Sequence, residues 1–226
     1  MALWEIKQSG YLNRRFHSTI KRPFWAVGGL DHFCVAAYKP KGALTQNVSY
    51  INLANPGTND MAAGVAPSWL ASTGWVFNGT TQYLLNNLTP TSGWSMFVHY
   101  ANLLSTGAAI IVGSQNTTGD RRFYLGRAAG GAEIYGNGGI AANGAISGTG
   151  VIGFAGEKCY FNGVDEGLTI SGWSDPISAQ PIFAGALNAN GTATTFCSVR
   201  IHALAIYNTV LDATKVDLLT KAMQEV

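Results

Sequence analysis

Residues that could act as acids, bases or nucleophiles are few in this 226-residue chain, and their spacing does not form a catalytic set. Glycoside hydrolysis needs two carboxylates about 5–9 Å apart, which alternate residues of one strand commonly supply. No strand-like segment has such a pair, and the adjacent Asp165 and Glu166 follow an Asn-Gly turn, where successive side chains point to opposite sides. No Gly-x-Ser-x-Gly element occurs, and the histidines are scattered: His17, His32, His99 and His202. The sequence therefore predicts a protein that is not an enzyme.

Metal-ligating residues are also dispersed. Cys34, Cys159 and Cys197 are far apart and odd in number, which favours small buried apolar side chains in a reducing compartment over a disulfide or a metal site. Oxygen ligands for calcium are present, but each is typical of a turn: Asn59, Asp60, Asp120 and Asp165. We expect no metal and no cofactor.

Sugar binding needs exposed aromatic rings beside planar polar groups, because a sugar ring offers a flat C–H face and a rim of hydroxyls. The candidates lie in segments rich in Gly, Ser and Asn: Arg127, Tyr135, Asn137, Trp173 and Asn188. For Trp173, an anchor that packs its own loop is an equal alternative. Four other aromatic residues lie in strand-like alternation and are predicted to be core: Trp69, Trp75, Tyr83 and Trp94.

Charge is scarce at 12% of residues and unevenly distributed. Residues 1–41 carry seven basic side chains against two acidic ones, whereas the remainder carries seven against ten. A basic segment interleaved with aromatic residues could dock on an acidic protein surface or a nucleic acid; a solvated extension is the alternative. The candidate docking residues are Arg14, Arg15, Phe16, Lys21, Arg22, Phe24 and Trp25. No signal peptide or membrane span is predicted.

Local patterns predict an all-β chain with one helix. Five Asn-Gly pairs mark tight reversals, at residues 78–79, 137–138, 143–144, 162–163 and 190–191. Apolar residues alternate in residues 94–100, 122–125 and 158–161, and one face of residues 196–207 is predicted to be apolar throughout. Residues 126–153, rich in Gly, Ala and Asn, suggest strands joined by mobile loops rather than core. Asp212 is a favourable N-cap for a closing helix with Val216, Leu219 and Met223 on one face. Many short antiparallel strands are typical of a sandwich or barrel.

Three segments together resemble one superfamily. Residues 66–84, with Gly74-Trp75-Val76-Phe77-Asn78-Gly79 and Gln82-Tyr83-Leu84, look like the early hairpin of concanavalin A-like, laminin-G-like jelly rolls. Tyr160-Phe161-Asn162-Gly163 is similar to a later hairpin, and Val199 to Leu211 resembles the closing strand before a short helix. The resemblance covers residues 45–226 and implies an antiparallel β-sandwich (jelly roll), with residues 1–44 forming an irregular N-terminal arm for docking.

Domains of this kind without a signal peptide also resemble those of tailed-phage virion proteins. The resemblance therefore implies a non-enzymatic capsid decoration, head fibre or tail component, located in the virion. Its arm would bind a capsid or tail protein of the same particle, and its sandwich would contact cell-surface polysaccharide. A homo-oligomer is expected for a separate reason, because a low-charge sandwich has exposed β edges that need covering. No membrane and no specific nucleic acid are expected as partners. The alternatives are a stand-alone carbohydrate-binding module and, less favoured, a divergent glycosidase, because the carboxylate signature of the superfamily's glucanases is absent.

Overall fold

Two β-sheets packed face to face form the body of the protein, in a computed structural model that describes residues 22–91, 93–116, 118, 121–170 and 180–226. The predicted antiparallel β-sandwich with a short C-terminal helix is confirmed. Four of the predicted docking residues and one predicted sugar ligand lie outside the described residues: Arg14, Arg15, Phe16, Lys21 and Trp173.

The first sheet, sheet A, has eight strands in the order β12-β11-β10-β6-β16-β4-β3, and β1 also pairs with β16. Its strands are β1 (Cys34–Tyr38), β3 (Ser68–Leu70), β4 (Gly74–Asn78), β6 (Ser95–Ala101), β10 (Gly150–Ala155), β11 (Lys158–Phe161), β12 (Val164–Thr169) and β16 (Ser198–Tyr207). All its pairings are antiparallel.

The second sheet, sheet B, has the order β15-β14-β7-β13-β5-β2, with β8 and β9 continuing from β7. Its strands are β2 (Ala62–Val65), β5 (Tyr83–Leu85), β7 (Ala109–Gln115), β8 (Arg122–Arg127), β9 (Ala132–Ala145), β13 (Phe183–Ala184), β14 (Leu187–Ala189) and β15 (Thr192–Thr194). The helical elements are a 3-10 segment (Phe24–His32) that is interrupted by a kink at residues 27–29, α1 (Gln46–Ser49) and α2 (Ala213–Gln224).

The core between the sheets is built by the alternation that the sequence predicts. Met96, Val98 and Tyr100 of β6 face inward and are fully buried, as are Phe123 and Leu125 of β8. Each such side chain contributes roughly 1.5–3 kcal/mol of transfer free energy on burial. The largest residue of this core, Trp75, is fully buried and donates its indole N–H to the Ser49 hydroxyl at 2.8 Å, so its polar atom is satisfied.

Strand β16 departs from the predicted pattern. Its residues were expected to keep one apolar face from Cys197 to Tyr207, but its pairing with β6 shifts register between Ile201 and Ala203. A bulge inserts one residue and exchanges the faces of a strand. Upstream, Val199 and Ile201 therefore point into the core between the sheets, whereas Ala203, Ala205 and Tyr207 pack on the opposite face of sheet A.

The outer face of sheet A is covered by the 3-10 segment and α2. The predicted helix is confirmed: Asp212 Oδ1 accepts a hydrogen bond from the Lys215 N–H at 2.9 Å, and Val216, Leu219 and Met223 are buried against the sheet. No helix within the described ranges has the length and apolar character needed to span a membrane.

Two of the five predicted Asn-Gly turns are wrong. The pairs at residues 162–163 and 190–191 reverse the chain with positive φ at all four residues, as expected. In contrast, Asn137-Gly138 and Asn143-Gly144 lie inside β9, where residues 133–138 pair with β8 and are buried. For Asn137-Gly138, pairing with β8 thus overrides the local turn preference, and residues 126–153 supply core strands rather than mobile loops alone.

The predicted boundary between residues 44 and 45 does not coincide with an edge of the sandwich. β1 pairs with the second half of β16, and Phe24 and Leu30 of the 3-10 segment pack against the outer face of sheet A. The described part of the predicted arm is therefore part of the folded body.

Two histidines lie together on the outer face of sheet A beside the end of α2. The His99 and His202 rings are 4.8 Å apart, and neither Nδ1 has a hydrogen-bond partner. Burial lowers the pKa of His202 to about 4, with further lowering by His99, Lys41 and Arg200. Burial also lowers the pKa of His99, although a hydrogen bond with the Met223 backbone raises it by a smaller amount. Both rings are therefore held neutral.

This pair should make the fold sensitive to acid. Unfolded histidine has a pKa of about 6.5, so the unfolded chain binds protons that the folded protein excludes as the pH falls from about 6.5 towards the His202 value of about 4. We expect the melting temperature to fall less between pH 7.5 and pH 5.0 in His202→Gln than in the wild type. Equal losses in the two proteins would contradict this reading.

Candidate functional site

Two of the predicted sugar-binding residues are core residues. Tyr135 and Asn137 are fully buried on the inward face of β9. The Tyr135 hydroxyl donates to Glu133 Oε2 at 2.9 Å, and Asn137 Nδ2 donates to the Gly156 carbonyl at 2.9 Å. The expectation that they stand in exposed loops is wrong, because the residues around them form strand rather than turn. In this conformation neither can contact a sugar.

The other two described candidates serve the structure of turns and edges. Asn188 is buried, donates to the Pro181 carbonyl at 2.8 Å and accepts from the Gly191 N–H at 2.6 Å, which fixes the β14–β15 hairpin. Arg127, partly exposed at the end of β8, donates to the Gly107 carbonyl at 3.0 Å. These candidates therefore do not share one exposed surface.

Glu133 and Glu166 are two described carboxylates that interact electrostatically, so they are the pair to compare with a glycosidase site. Burial raises the pKa of Glu133, the Tyr135 hydrogen bond lowers it, and the charge of Glu166 raises it. Burial and the charge of Asp165 raise the pKa of Glu166, which lies near the surface. A glycosidase needs both groups at one accessible cleft, whereas Glu133 is 5% exposed and points between the sheets.

Metal and thiol chemistry find no support in the described part of the chain. No group of three or more ligating side chains is present in it. Burial raises the pKa of Cys159 and Cys197 to about 12, which keeps both as thiols. Two of the considered calcium ligands act in turns: Asp60 accepts the N–H groups of Asn52 and Gly57, and Asp165 accepts that of Gly167.

On the outer face of sheet B, the register places glycines beside aromatic residues. Gly136 lies opposite Tyr124 in the β8–β9 pair, and a Cβ on Gly136 would be 3.0 Å from the Tyr124 ring. A Cβ on Gly64 of β2 would lie 2.1 Å from Tyr83 Cζ. The two tyrosine rings thus occupy space that side chains on the neighbouring strands would fill.

One end of this face carries a partly exposed group of apolar side chains, which we call the aromatic patch: Val65, Tyr83, Phe183 and Phe196. The Tyr83 ring stacks on Phe183 with centroids 4.9 Å apart and lies 6.4 Å from Phe196. Val65, opposite Tyr83 in register, is 46% exposed, while Tyr83 and Phe196 are partly exposed. None of the four is charged.

Alternation in the sequence predicts Tyr83 to be a core residue, and no pattern in the sequence points to Phe196. Alternation alone cannot tell an inward face from an outward apolar face. The signal that could have found the site is Gly64 in the paired strand, but it depends on a register that the sequence does not give.

A second surface feature gathers three of the predicted docking residues. Arg22, Phe24 and Trp25 line a cleft of about 470 Å³ between the 3-10 segment and α2. We call it the Trp25 cleft; its other lining residues are Pro23, Val27, Lys39, Leu53, Leu218, Lys221, Ala222, Glu225 and Val226.

Comparisons with known proteins define the fold class. No family model matches the chain, and no curated protein matches it. Among solved structures, Trypanosoma rangeli sialidase in complex with sialic acid superposes with a TM-score of 0.58 and 13% identity, over 86% of this chain and 33% of the sialidase. This protein thus corresponds to about a third of the sialidase's length.

A second comparison matches a whole domain. Domain 4 of AbnA, a GH43 extracellular arabinanase from Geobacillus stearothermophilus solved in complex with arabinotriose, superposes with a TM-score of 0.52 and 16% identity. The match covers 83% of this chain and 98% of that domain. At such identities the comparisons show a shared β-sandwich fold, and function has to be argued from the site.

The buried carboxylate offers a test of the core assignment. Glu133→Gln should keep the acceptor for Tyr135 and remove a group whose pKa burial raises. Because the pKa of Glu133 is higher in the folded protein than in the unfolded chain, the protonated side chain favours folding. This contribution to stability is fully present below the pKa of the unfolded chain and is lost as the pH rises through the pKa of the folded protein. Chemical denaturation should show a larger free energy of unfolding for Glu133→Gln at pH 7.5, with the gain shrinking towards pH 4.

The matched control is Glu157→Gln, which neutralises an exposed carboxylate and should change stability by less than about 0.5 kcal/mol. A Glu133→Gln protein less stable than the wild type at pH 7.5 would show that the charged form is needed.

Proposed function

We propose that this protein is a non-enzymatic carbohydrate-binding β-sandwich whose aromatic patch receives a neutral sugar. The observation that carries the proposal is the partial exposure of Tyr83 and Phe196 within a patch of uncharged side chains on the outer face of sheet B. Aromatic rings bind the apolar C–H face of a sugar, and a tyrosine adds a polar atom at its edge. The Tyr83 hydroxyl has no hydrogen-bond partner within the described residues, so it is free to bond a sugar hydroxyl.

Hydroxyl-bearing side chains share the outer face of sheet B with the patch. Thr192 and Thr194 of the edge strand β15 lie on the same side of sheet B as Leu187 and Ala189, away from the core. Hydroxyl groups can both donate to and accept from sugar hydroxyls. A sugar acid would need a cation at this point, and the patch contains none.

The comparison with an arabinanase domain supports this class of ligand. That domain shares the sandwich over nearly its whole length and was solved with a neutral trisaccharide. The absence of catalytic function is part of the proposal: Glu133 is enclosed in the core, and the patch itself contains no carboxylate.

Binding should depend on the Tyr83 ring and on the space that Gly64 leaves for it. We expect Tyr83→Ala to weaken binding at least tenfold, about 1.4 kcal/mol, in calorimetric titrations with the best ligand of a neutral oligosaccharide panel that includes arabinotriose. Gly64→Ala should also weaken binding, because its Cβ would displace the ring without removing it. Tyr83→Phe should lose only the contribution of the hydroxyl.

Phe33→Ala is the matched control, since Phe33 is 40% exposed and lies beside Lys215 of α2, against sheet A. It should bind as the wild type does. Melting curves separate loss of binding from loss of fold. The proposal fails if no neutral sugar binds at millimolar concentration, or if Tyr83→Ala and Gly64→Ala bind with unchanged affinity.

The virion location and the particle partner implied by the resemblance, and the homo-oligomer expected from the exposed β edges, remain further proposals. The solved structures named above are a sialidase and a domain of an arabinanase, and they support sugar binding rather than particle assembly. Because β1 is part of sheet A, a fair test of attachment through the arm deletes residues 1–21 and leaves residues 22–44 in place.

A further inference from the structure

The Trp25 cleft is an exposed apolar surface on the side of the molecule opposite the aromatic patch. Leu53 and Leu218 line it and are 36% and 41% exposed. A smaller cleft of about 180 Å³ shares Lys39 and Leu53 with it and adds Leu44, which is 88% exposed. The two clefts form one apolar strip at the edge of the helical layer. Contiguous exposed apolar surface of this kind marks interaction sites.

The ionisable side chains that line the Trp25 cleft are mostly basic: Arg22, Lys39 and Lys221 against Glu225. Lys221 is paired with Asp217 at 2.7 Å. Arg22 and Lys39 have no ion-pair partner among the described residues and are exposed. The neighbouring Lys41 donates to a main-chain oxygen of Val226 at 2.8 Å, so its ammonium is engaged and is not one of the unpaired cations. An apolar floor is thus combined with unpaired cations on its rim.

We propose that the Trp25 cleft docks an acidic peptide segment of a partner protein, with apolar side chains against Trp25 and Leu218 and carboxylates against Arg22 and Lys39. Charge complementarity decides between the occupants. Residues 1–21 of this chain contain Lys7, Arg14, Arg15 and Lys21 against Glu5, so the cleft's own cations would repel them. An acidic partner gains attraction at both cations and buries the exposed leucines.

This surface is distinct from the proposed sugar site. The Trp25 cleft lies over the outer face of sheet A, whereas the aromatic patch lies on the outer face of sheet B. The sandwich separates them, so one molecule can hold a sugar and a protein segment at the same time. The two sites can therefore be tested independently.

The experiment uses the full chain and two synthetic twelve-residue peptides of equal apolar content, in which Leu and Phe alternate with either Asp and Glu or Lys. Fluorescence anisotropy of the labelled peptides should show binding of the acidic peptide that weakens with added salt, and at least tenfold weaker binding of the basic one. Arg22→Glu/Lys39→Glu should weaken the acidic peptide at least tenfold and improve the basic peptide. Leu218→Ala should weaken both.

Arg121→Glu is the matched control, because it reverses an exposed cation beside β8 of sheet B, remote from the cleft; it should leave binding unchanged. Deletion of residues 1–21 provides the decisive alternative. If the acidic peptide binds only after that deletion, the chain's own segment is the occupant and the proposal is wrong. Absence of binding by the full chain, or equal binding of both peptides, would also overturn it.

Discussion

The bulge in β16 is the constraint on which the rest of the structure depends. β16 pairs with β6 along one side, and with β4 and then β1 along the other. The register shift between Ile201 and Ala203 turns the apolar side chains of its second half outward. An outward apolar face has to be covered, and α2 and the 3-10 segment cover it. The residues of α2 and of the 3-10 segment that line the Trp25 cleft are held in place by this packing on sheet A.

Sheet B also has an apolar outer face. Ile110, Tyr124, Ile134 and Leu187 lie on this face and are at most 8% exposed. Glycines on neighbouring strands let aromatic rings lie close to the sheet, and Tyr83, Phe183 and Phe196 continue this surface to a partly exposed end. The two outer faces therefore differ physically: one is buried under helices with basic groups at its margin, and the other ends in uncharged rings suited to a sugar.

The sequence predicts the parts of the fold that depend on neighbouring residues. Alternation identifies the inward residues of β6 and β8, and Asp212 marks the start of α2. The predictions that are wrong concern residues whose structure depends on contacts between distant segments. Asn137-Gly138 has the local chemistry of a turn, but hydrogen bonding to β8 draws it into a strand. Tyr83 has the alternation of a core residue, and only the register with β2 shows that it lies on the outer face. Arg22, Phe24 and Trp25 were singled out by composition, and the packing of α2 brings them into one cleft.

The central claim is that the proposed sugar site is the aromatic patch at the partly exposed end of the outer face of sheet B, and not the helix-covered face of sheet A. Backbone amide chemical shifts recorded during titration with neutral oligosaccharides, arabinotriose among them, test it most directly. The account predicts the largest shifts at Val65, Tyr83, Phe183 and Phe196, with little change around Trp25 and α2. Shifts concentrated at Trp25 and α2, or no shift with any sugar, would contradict it.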